Sequence, residues 1–507
     1  MSLLAVDMGS SSCKAVSFSE DGQVLAHAVR LYKSQARFPS WSEMPAGDFW
    51  NAFVGAVREV ATATLHDSVE VLSISSHGET FIPVDSREEP TGPAILNADN
   101  RATHESAWVA EKIGKERLFE ITGLTAHAMY PLPKILWLRA HDPGTFASTV
   151  RFLTLTGYLL TRFGLPGYID YSLASRFLVF DIQKQAWSEE ILSACEMDDE
   201  KFPAPAPAGT IAGEVTAEMA RELGVDAGIP VVLGGHDQPC AALGSGVIDP
   251  GRVSASLGTY ECLLAASDAP AKGRLALGAN LNTYGHIVPG RYLTLAYFPS
   301  GIMVDWILRL GHSRDAGTSI SPVELCAALE SETRPEPSGL CITPHLLGTC
   351  NPDFDPNASG VIAGIRPSTT LADLYQGVLE GVACEFASMA EFLQSVAGEC
   401  TDIYISGGGL RSRLGLQLRA AMANRRLHLM QCPEAVCLGT AMLAGVAIGK
   451  YGSYADAVRQ VVRVAETVTP EPAMVASYQI HKRQYQALYS NLAPWRKLQA
   501  NGDQGEG

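Results

Sequence analysis

Two short segments far apart in the chain share one pattern, and this pattern constrains the fold most. Near the N-terminus, "LLAVDMGSSSCKAVSFSEDG" predicts a strand, a glycine turn and a second strand, with a third strand after the tight turn at Asp21-Gly22. Residues 253–265, "VSASLGTYECLLA", predict the same order of strand, Gly-Thr turn and strand. Two hairpins of one type suggest two related domains, although their identity is too low to establish a repeat.

Helical patterns lie between and after these hairpins. Residues 47–65 and 370–396 carry apolar side chains at helical spacing, and "VTAEMARELG" predicts a helix that stops at Gly224. Strands and helices mix throughout, so the predicted class is α/β. The chain of 507 residues is too long for one ordinary core. The turn in "VIDPGRV" therefore marks a boundary between domains at 1–246 and 247–490, followed by a tail at 491–507.

Charge and composition exclude several kinds of partner. The net charge of −16 argues against nucleic acid or an anionic membrane surface as the main partner. Backbone N–H groups can still bind phosphate in an acidic protein. The sequence contains neither a signal-peptide pattern nor an apolar run of membrane-spanning length, and its 11 cysteines form no CxxC pair. We therefore expect a cytoplasmic protein with reduced thiols that acts on a small molecule.

Two glycine-bearing turns are candidate phosphate-binding loops. "DMGSSSCK", residues 7–14, combines small residues and free N–H groups with Asp7, an acid able to hold Mg²⁺ directly or through water. Gly258 and Thr259 in "SLGTYE" offer an N–H group and a hydroxyl. Neither is a Walker A loop, and each one alone is equally consistent with a plain hairpin turn.

Two further segments combine strand ends with ligand-binding chemistry. "ISGGGLRSRLGLQL" has three consecutive glycines, which allow close backbone approach to a ligand or simply make an unusual strand-to-helix loop. "SSHGETFIPVD", closely followed by "NADNR", gathers His, Glu, Asn, Asp and Arg after an apolar strand, a set that suits a hydroxyl-rich ligand. For His77 taken alone, the alternative is an ordinary histidine with satisfied hydrogen bonds.

A single carboxylate ends another apolar run. "GGHDQPCAALGSG" follows "GIPVVL" and delivers Asp237 on a flexible turn. A purely structural role is available, because Asp is a good helix N-cap and Pro239 fits the first helical turn.

Together and in this order, these segments resemble the FGGY family of carbohydrate kinases, within the actin-like, ribonuclease-H-like ATPase superfamily. The resemblance runs from about Leu3 to about Tyr454 and includes "AVDMGSSSCKAVSFSEDG", "IDYSLAS", "GGHDQPCAALGSG", "SLGTYE" and "ISGGGLRSRLGLQ". It implies two actin-like domains with a deep cleft between them. It also implies transfer of the γ-phosphate of ATP, with Mg²⁺, to a hydroxyl of a small ketose or polyol. The oligomeric state is left open, with a homodimer among the options.

The resemblance also assigns roles to residues. Asp237 corresponds to the catalytic base and Asp7 lies near Mg²⁺. The sugar-binding positions are His77, Gly78, Glu79, Asn97, Asp99, Arg101 and Gln238. The nucleotide-binding positions are Gly9, Ser10, Ser11, Ser12, Lys14, Gly258, Thr259, Gly301, Gly408, Gly409 and Leu410.

The sugar motif mixes two branches of the family. His77-Gly78 resembles the "MHG" of xylulokinases, whereas Glu79-Thr80 resembles the "RET" of glycerol kinases. Two other functions remain open, an actin-like ATPase that works as a switch or filament protein and a catalytically silent sugar binder. The function as an actin-like ATPase gives the polar residues at 77–101 no role.

Overall fold

The computed structural model describes residues 2–36, 38–312, 321–407 and 412–502, which form two large mixed β-sheets, five two-stranded sheets and the helices around them. The strands are β1 (Ser2–Met8), β2 (Ser12–Phe18), β3 (Val24–Leu31), β4 (Glu43–Met44), β5 (Val69–Ser76), β6 (Ile82–Val84), β7 (Ala94–Ile95), β8 (Arg151–Leu153), β9 (Ile169–Asp170), β10 (Phe180–Asp181), β11 (Ala186–Trp187), β12 (Pro205–Ala206), β13 (Ile211–Glu214), β14 (Pro230–His236), β15 (Arg252–Leu257), β16 (Tyr260–Ser267), β17 (Asn282–Gly285), β18 (Tyr292–Pro299), β19 (Cys341–Thr343), β20 (Val361–Ala363), β21 (Asp402–Gly407), β22 (Arg426–Met430) and β23 (Val464–Val468).

The helices are α1 (Ala46–Ala63), α2 (Thr103–Ile113), α3 (Lys115–Thr122), α4 (Pro131–His141), α5 (Pro143–Ser148), α6 (Leu155–Arg162), α7 (Tyr171–Ala174), α8 (Glu189–Cys195), α9 (Ala217–Leu223), α10 (Asp237–Gly244), α11 (Gly273–Gly278), α12 (Gly301–His312), α13 (Pro322–Ser331), α14 (Leu371–Ala397), α15 (Arg413–Ala423), α16 (Ala435–Ala447), α17 (Tyr454–Val461), α18 (Pro472–Asn491) and α19 (Ala493–Gly502). None of these described helices combines the length and apolarity that a membrane crossing requires.

The two large sheets repeat one topology. The first has the order β13-β14-β5-β1-β2-β3, in which β1, β2 and β3 are antiparallel and β5 and β14 run parallel to β1. The second has the order β17-β18-β16-β15-β21-β22-β23, with the same pattern around β15 plus the extra edge strand β17. The predicted pair of related hairpins and the α/β class are confirmed. We call the parts built on these sheets the N-terminal and C-terminal lobes.

Sheet register determines which residues meet at the functional edge. In the first sheet, Met8 pairs with Ser76, and Ser76 pairs in turn with His236. Because β1, β5 and β14 are parallel, the segments that follow them leave the sheet at one edge. Asp7, the turn after Ser76 and Asp237 are therefore neighbours, although they lie far apart in the sequence.

The predicted helices form where the apolar spacing placed them. Residues 47–65 lie almost entirely in α1, and residues 370–396 lie in α14 except for the capping residue Thr370. Helix α9 ends at Gly224, which has φ 74° in the left-handed region that a glycine adopts at little cost. In the segment expected to be a tail, residues 493–502 are helical.

Two helices that are far apart in the sequence, α10 and α16, cross with their backbones in close approach. A Cβ atom on Gly244 of α10 would lie 2.0 Å from the Ala435 carbonyl oxygen, and one on Gly439 of α16 would lie 1.9 Å from that of Cys240. Only glycine fits at such a crossing. Helix α16 also buries Leu438 with apolar residues of the first sheet. Helix α10, which carries Asp237 at its first residue, is thus packed closely against a helix from the second half of the chain that covers the first sheet.

Candidate active site

Asp237 is the first residue of α10, directly after β14. The N-cap is His236, whose Nδ1 accepts a hydrogen bond from the Gln238 N–H at 3.3 Å, so the capping role considered for Asp237 belongs to His236. Burial lowers the pKa of His236 to about 3, so its 3.3 Å contact with the carboxylate is not an ion pair. Asp237 Oδ1 is buried without a hydrogen-bond partner among the described residues, yet the side chain is 21% exposed. Asp237 therefore has an oxygen free to accept a proton, on a side chain that is partly exposed.

A second buried acid lies close to Asp237. Asp7 Oδ1 accepts a hydrogen bond from the Ser75 hydroxyl at 3.1 Å, and burial raises the pKa of Asp7 to about 6 against the opposing effects of Ser75 and Lys14. Burial also raises the pKa of Asp237 well above its ordinary value, and the charges of Asp7 and Glu79 add to that effect. Two acids that disfavour each other's ionisation would be stabilised by a cation between or beside them.

These acids fit a magnesium ion that arrives with a nucleotide. Within the described ranges, no group of three or more His, Cys, Asp or Glu side chains could hold a metal by itself. Mg²⁺ in phosphate-transferring sites typically takes one or two carboxylates and completes its shell with phosphate oxygens and water. Asp7 is a carboxylate with the chemistry for this role, and its place near Mg²⁺ stays a prediction.

Glu79 and Arg176 form a buried ion pair beside Asp237. Glu79 Oε1 accepts a hydrogen bond from Arg176 Nε at 2.5 Å, and both side chains are 5% exposed. Burial opposes ionisation of Glu79, but the guanidinium lowers its pKa below the usual value. Glu79 has φ 63°, a left-handed backbone that costs energy for a residue with a side chain and is concentrated at functional sites. Lys134 holds this strained turn, because its Nζ donates to the carbonyl oxygens of Leu96 at 2.6 Å and Glu79 at 3.4 Å.

Aromatic rings from both lobes surround the guanidinium. Its central carbon lies 5.2 Å from the centre of the Tyr130 ring and 5.0 Å from that of Tyr284, which belongs to β17 of the second sheet. Arg176 Nη1, Tyr284 OH and Gln238 Oε1 are buried without partners among the described residues, as is Asp237 Oδ1. Buried polar atoms are normally satisfied, so four unsatisfied ones in one place indicate a site for a polar ligand.

His77 and Gly78 shape this site rather than offering free donors. The Asn97 N–H donates to Thr80 Oγ1 at 3.1 Å, and that hydroxyl lies 2.6 Å from His77 Nε2. His77 Nδ1 lies 2.8 Å from the Met8 carbonyl oxygen, so Nδ1 carries the proton and both ring nitrogens are satisfied. A Cβ atom on Gly78 would lie 2.6 Å from the His236 ring, so the close packing there requires glycine.

Asp99 and Arg101 form a separate cluster. Arg101 donates to Asp99 at 2.9 and 2.7 Å and to Glu43 at 2.7 Å, while Asp99 also accepts from the Ser42 N–H at 2.6 Å. The guanidinium stacks on Trp41 with its carbon 3.8 Å from the ring centre. All of these hydrogen bonds lie within the cluster, and none of them reaches the residues around Asp237.

The two predicted phosphate turns are hairpin tips. In the first, the Gly9 N–H donates to the Ser12 carbonyl oxygen at 2.9 Å, and Ser10 and Ser11 are exposed. Lys14, just beyond it, pairs at 2.5 Å with Glu434, the N-cap residue of α16.

The second tip is built from residues of three segments. Gly258 and Thr259 are exposed, and the Gly301 N–H donates to the Thr259 carbonyl oxygen at 3.2 Å. A Cβ atom on Gly301 would lie 2.6 Å from the Gly258 carbonyl oxygen, so α12 begins against this tip. Behind the tip, Arg419 Nε donates to Glu261 Oε2 at 3.0 Å in a buried ion pair between α15 and β16. The predicted residues Gly408, Gly409 and Leu410 lie outside the described residues.

Sequence reasoning missed several of these residues. Arg176 directly follows the segment "IDYSLAS", and Lys134 lies in "PKILW", so both had a nearby motif that could have drawn attention to them. In the same way Arg419 directly follows "ISGGGLRSRLGLQL" and Tyr130 lies three residues before "PKILW". Tyr284 had no such signal, because only folding brings it to the site.

Comparisons with known proteins agree with the fold and identify the family. Residues 2–244 match the N-terminal domain and residues 253–448 the C-terminal domain of the FGGY family of carbohydrate kinases. A xylulose kinase from Escherichia coli K12 is 27% identical over 496 residues, which cover 97% of this chain and 99% of that protein. A gluconokinase from Bacillus subtilis 168 is 26% identical over 476 residues, which cover 92% and 91%.

Solved structures confirm the two-domain α/β fold. A xylulose kinase from Rhodospirillum rubrum superposes with a TM-score of 0.88 at 25% identity, covering 98% of this chain and 100% of that one. A Plasmodium falciparum glycerol kinase with ADP gives 0.85 at 19% identity with 98% of each chain covered, which supports the fold alone. These relatives do not favour an actin-like switch or filament protein. The chain belongs to the FGGY family of carbohydrate kinases.

Proposed function

We propose that this kinase transfers the γ-phosphoryl group of ATP to a hydroxyl of a small ketose or polyol, with Asp237 as the general base. The observation that carries the proposal is the buried, unpartnered Oδ1 of Asp237 at the start of α10. As the acceptor hydroxyl attacks the γ-phosphorus, its proton passes to that oxygen, the bond from the γ-phosphorus to the bridging oxygen breaks, and ADP leaves. Burial raises the pKa of Asp237 well above its ordinary value, which strengthens the deprotonated carboxylate as a base.

The phosphate side of the site supports the same reaction. Phosphoryl transfer has a loose transition state that asks the protein mainly for positioning and charge neutralisation. Mg²⁺ held by Asp7 would neutralise charge on the phosphate oxygens. The exposed tips at 9–12 and 258–259 offer backbone N–H groups and hydroxyls to those oxygens, and the positive end of α12 begins beside the second tip.

The acceptor side is formed by the unsatisfied polar groups near Asp237. Glu79, Gln238, Arg176 Nη1 and Tyr284 OH supply both acceptors and donors, which matches the mixed hydrogen bonding of a polyhydroxylated molecule. Asn97, His77 and Gly78 shape the wall behind Glu79. In this proposal Asp99 and Arg101 stabilise that wall and do not contact the acceptor.

The test is acceptor-dependent ADP release with an isosteric variant. Wild-type protein is screened with Mg²⁺ and ATP against pentuloses, hexuloses, tetritols, glycerol and sugar acids, beside Asp237→Asn and the matched control Asp226→Asn. Asp226 is an exposed acid on the loop before β14. We expect Asp237→Asn to lose about 10²–10⁴-fold in kcat, while a fluorescent ATP analogue still binds and Asp226→Asn matches the wild type. Near-normal turnover in Asp237→Asn would refute the assignment of the base.

A further inference from the structure

We propose that the Glu79–Arg176 pair makes this kinase select uncharged polyhydroxylated acceptors and reject sugar acids. The inference rests on the proposed function and concerns the same site. Its basis is the arrangement around Asp237, in which one buried cation is already committed to one buried anion.

The charge balance around the acceptor is the first argument. Glu79 and Arg176 cancel each other, and burial keeps His77 and His236 neutral by lowering their pKa values. Asp237 is then the acid at the reacting end whose Oδ1 has no partner among the described residues. A carboxylate brought into this space would face Asp237, while the charge of Glu79 stays paired with Arg176. Like charges across a desolvated contact cost several kcal/mol, whereas a neutral hydroxyl pays no such penalty.

The hydrogen-bond geometry of Arg176 is the second argument. A carboxylate is bound best by two parallel N–H groups of one guanidinium. Arg176 already uses Nε for Glu79 and also hydrogen-bonds Tyr130, and Nη1 is its buried atom without a partner among the described residues. Because Nε is committed to Glu79, the fork that pairs Nε with a terminal nitrogen is closed to a carboxylate, whereas Nη1 can donate to a hydroxyl.

The other unpartnered atoms complete the argument. Tyr284 OH is fully buried and can donate or accept, and Gln238 Oε1 can only accept. A hydroxyl-bearing chain satisfies both kinds of atom, because each hydroxyl donates once and accepts as well. A carboxylate group only accepts, so at this position it would leave Gln238 Oε1 without a donor.

The experiment compares kcat/KM for two classes of acceptor in wild-type protein and Glu79→Gln. The neutral class is D-xylulose, D-ribulose, xylitol and erythritol, and the acidic class is D-gluconate and D-xylonate. We expect the best neutral acceptor to exceed the best acid by at least about 100-fold in the wild type, from the like-charge penalty. In Glu79→Gln the carboxylate gains access to an unpaired guanidinium, so this ratio falls at least about tenfold. The control Glu105→Gln removes a buried acid from α2 and leaves the ratio unchanged.

A second, milder variant keeps the inference testable if Glu79→Gln does not fold. Tyr284→Phe removes one hydroxyl, and we expect a roughly two- to tenfold loss in kcat/KM for the neutral class and no change for the acids. Its control, Tyr292→Phe, removes a half-buried hydroxyl on the neighbouring strand β18. The inference would be overturned if the wild type showed the same kcat/KM for a sugar acid as for the best neutral acceptor. An unchanged ratio in both variants would also overturn it. ADP release with neither class would instead contradict the proposed function, and the inference falls with it.

Discussion

The N-terminal lobe contains two buried clusters made of the same kinds of residue, and they differ in whether their hydrogen bonds are complete. In the closed cluster, Arg101 donates to Asp99 and Glu43, and the Ser42 N–H completes Asp99. In the open cluster, Arg176 pairs with Glu79 while Arg176 Nη1 and Asp237 Oδ1 have no partner among the described residues. Burial and charge are similar in both clusters, so neither property distinguishes them. The two clusters differ in their unsatisfied hydrogen-bonding groups, which we propose mark the open cluster as the ligand-binding one.

The largest expected effect falls on the closed cluster. Arg101→Met leaves Asp99 and Glu43 buried with an uncompensated charge, so we expect a loss of about 3–5 kcal/mol in the free energy of unfolding, measured by urea denaturation. The folded fraction should keep its acceptor preference. If stability were kept and the acceptor KM rose instead, Arg101 would bind the acceptor as the family resemblance implies.

An intermediate effect is expected from the lysine that supports the open cluster. Lys134→Met leaves the carbonyl oxygens of Leu96 and Glu79 without their donor. Ordering the turn at Glu79 to bind the acceptor then costs about 1–3 kcal/mol more than in the wild type. We therefore expect the KM for the acceptor to rise roughly tenfold while the KM for ATP stays the same. Lys112→Met, an exposed position on α2, is the control. Equal changes in both KM values would show a general loss of structure rather than a role in positioning Glu79.

The smallest expected effect concerns pH. Asp237 acts as a base only when deprotonated. The value of kcat/KM for the acceptor is therefore highest above the pKa of Asp237 and falls as the pH drops through that pKa. Burial and the charges of Asp7 and Glu79 raise this pKa, so the acid limb of the wild type lies well above 3.8. Glu79→Gln removes one of these charges and should move the limb to lower pH. A limb that moved to higher pH, or did not move, would show that Glu79 does not act on the base.

The sequence alone predicted the α/β class and the two related hairpins, and it drew attention to Asp237. Strand alternation and glycine turns predict both hairpins, and apolar spacing predicts α1 and α14, because these signals are local. Asp237 stands out because a carboxylate directly follows an apolar strand. The role of Asp237 came only from the family resemblance, since a helix cap was an equally good interpretation of the residues alone.

The acceptor side could not be derived in the same way. "NADNR" and "SSHGET" are similar polar segments, yet Asp99 and Arg101 complete each other's hydrogen bonds while Glu79 pairs with Arg176, 97 positions away. Tyr284 reaches the guanidinium from the other lobe. Such differences depend on which distant side chains meet, and local pattern does not contain that information.

The most direct test of this account is the free energy of unfolding of Asp237→Asn and of the wild type without ligands at pH 7. A carboxylate kept for chemistry is repelled by Asp7 and Glu79, so removing its charge should leave stability equal or higher, even though turnover is lost. A loss of more than about 1 kcal/mol would contradict the account, because it would show that Asp237 stabilises the start of α10 as an ordinary structural residue.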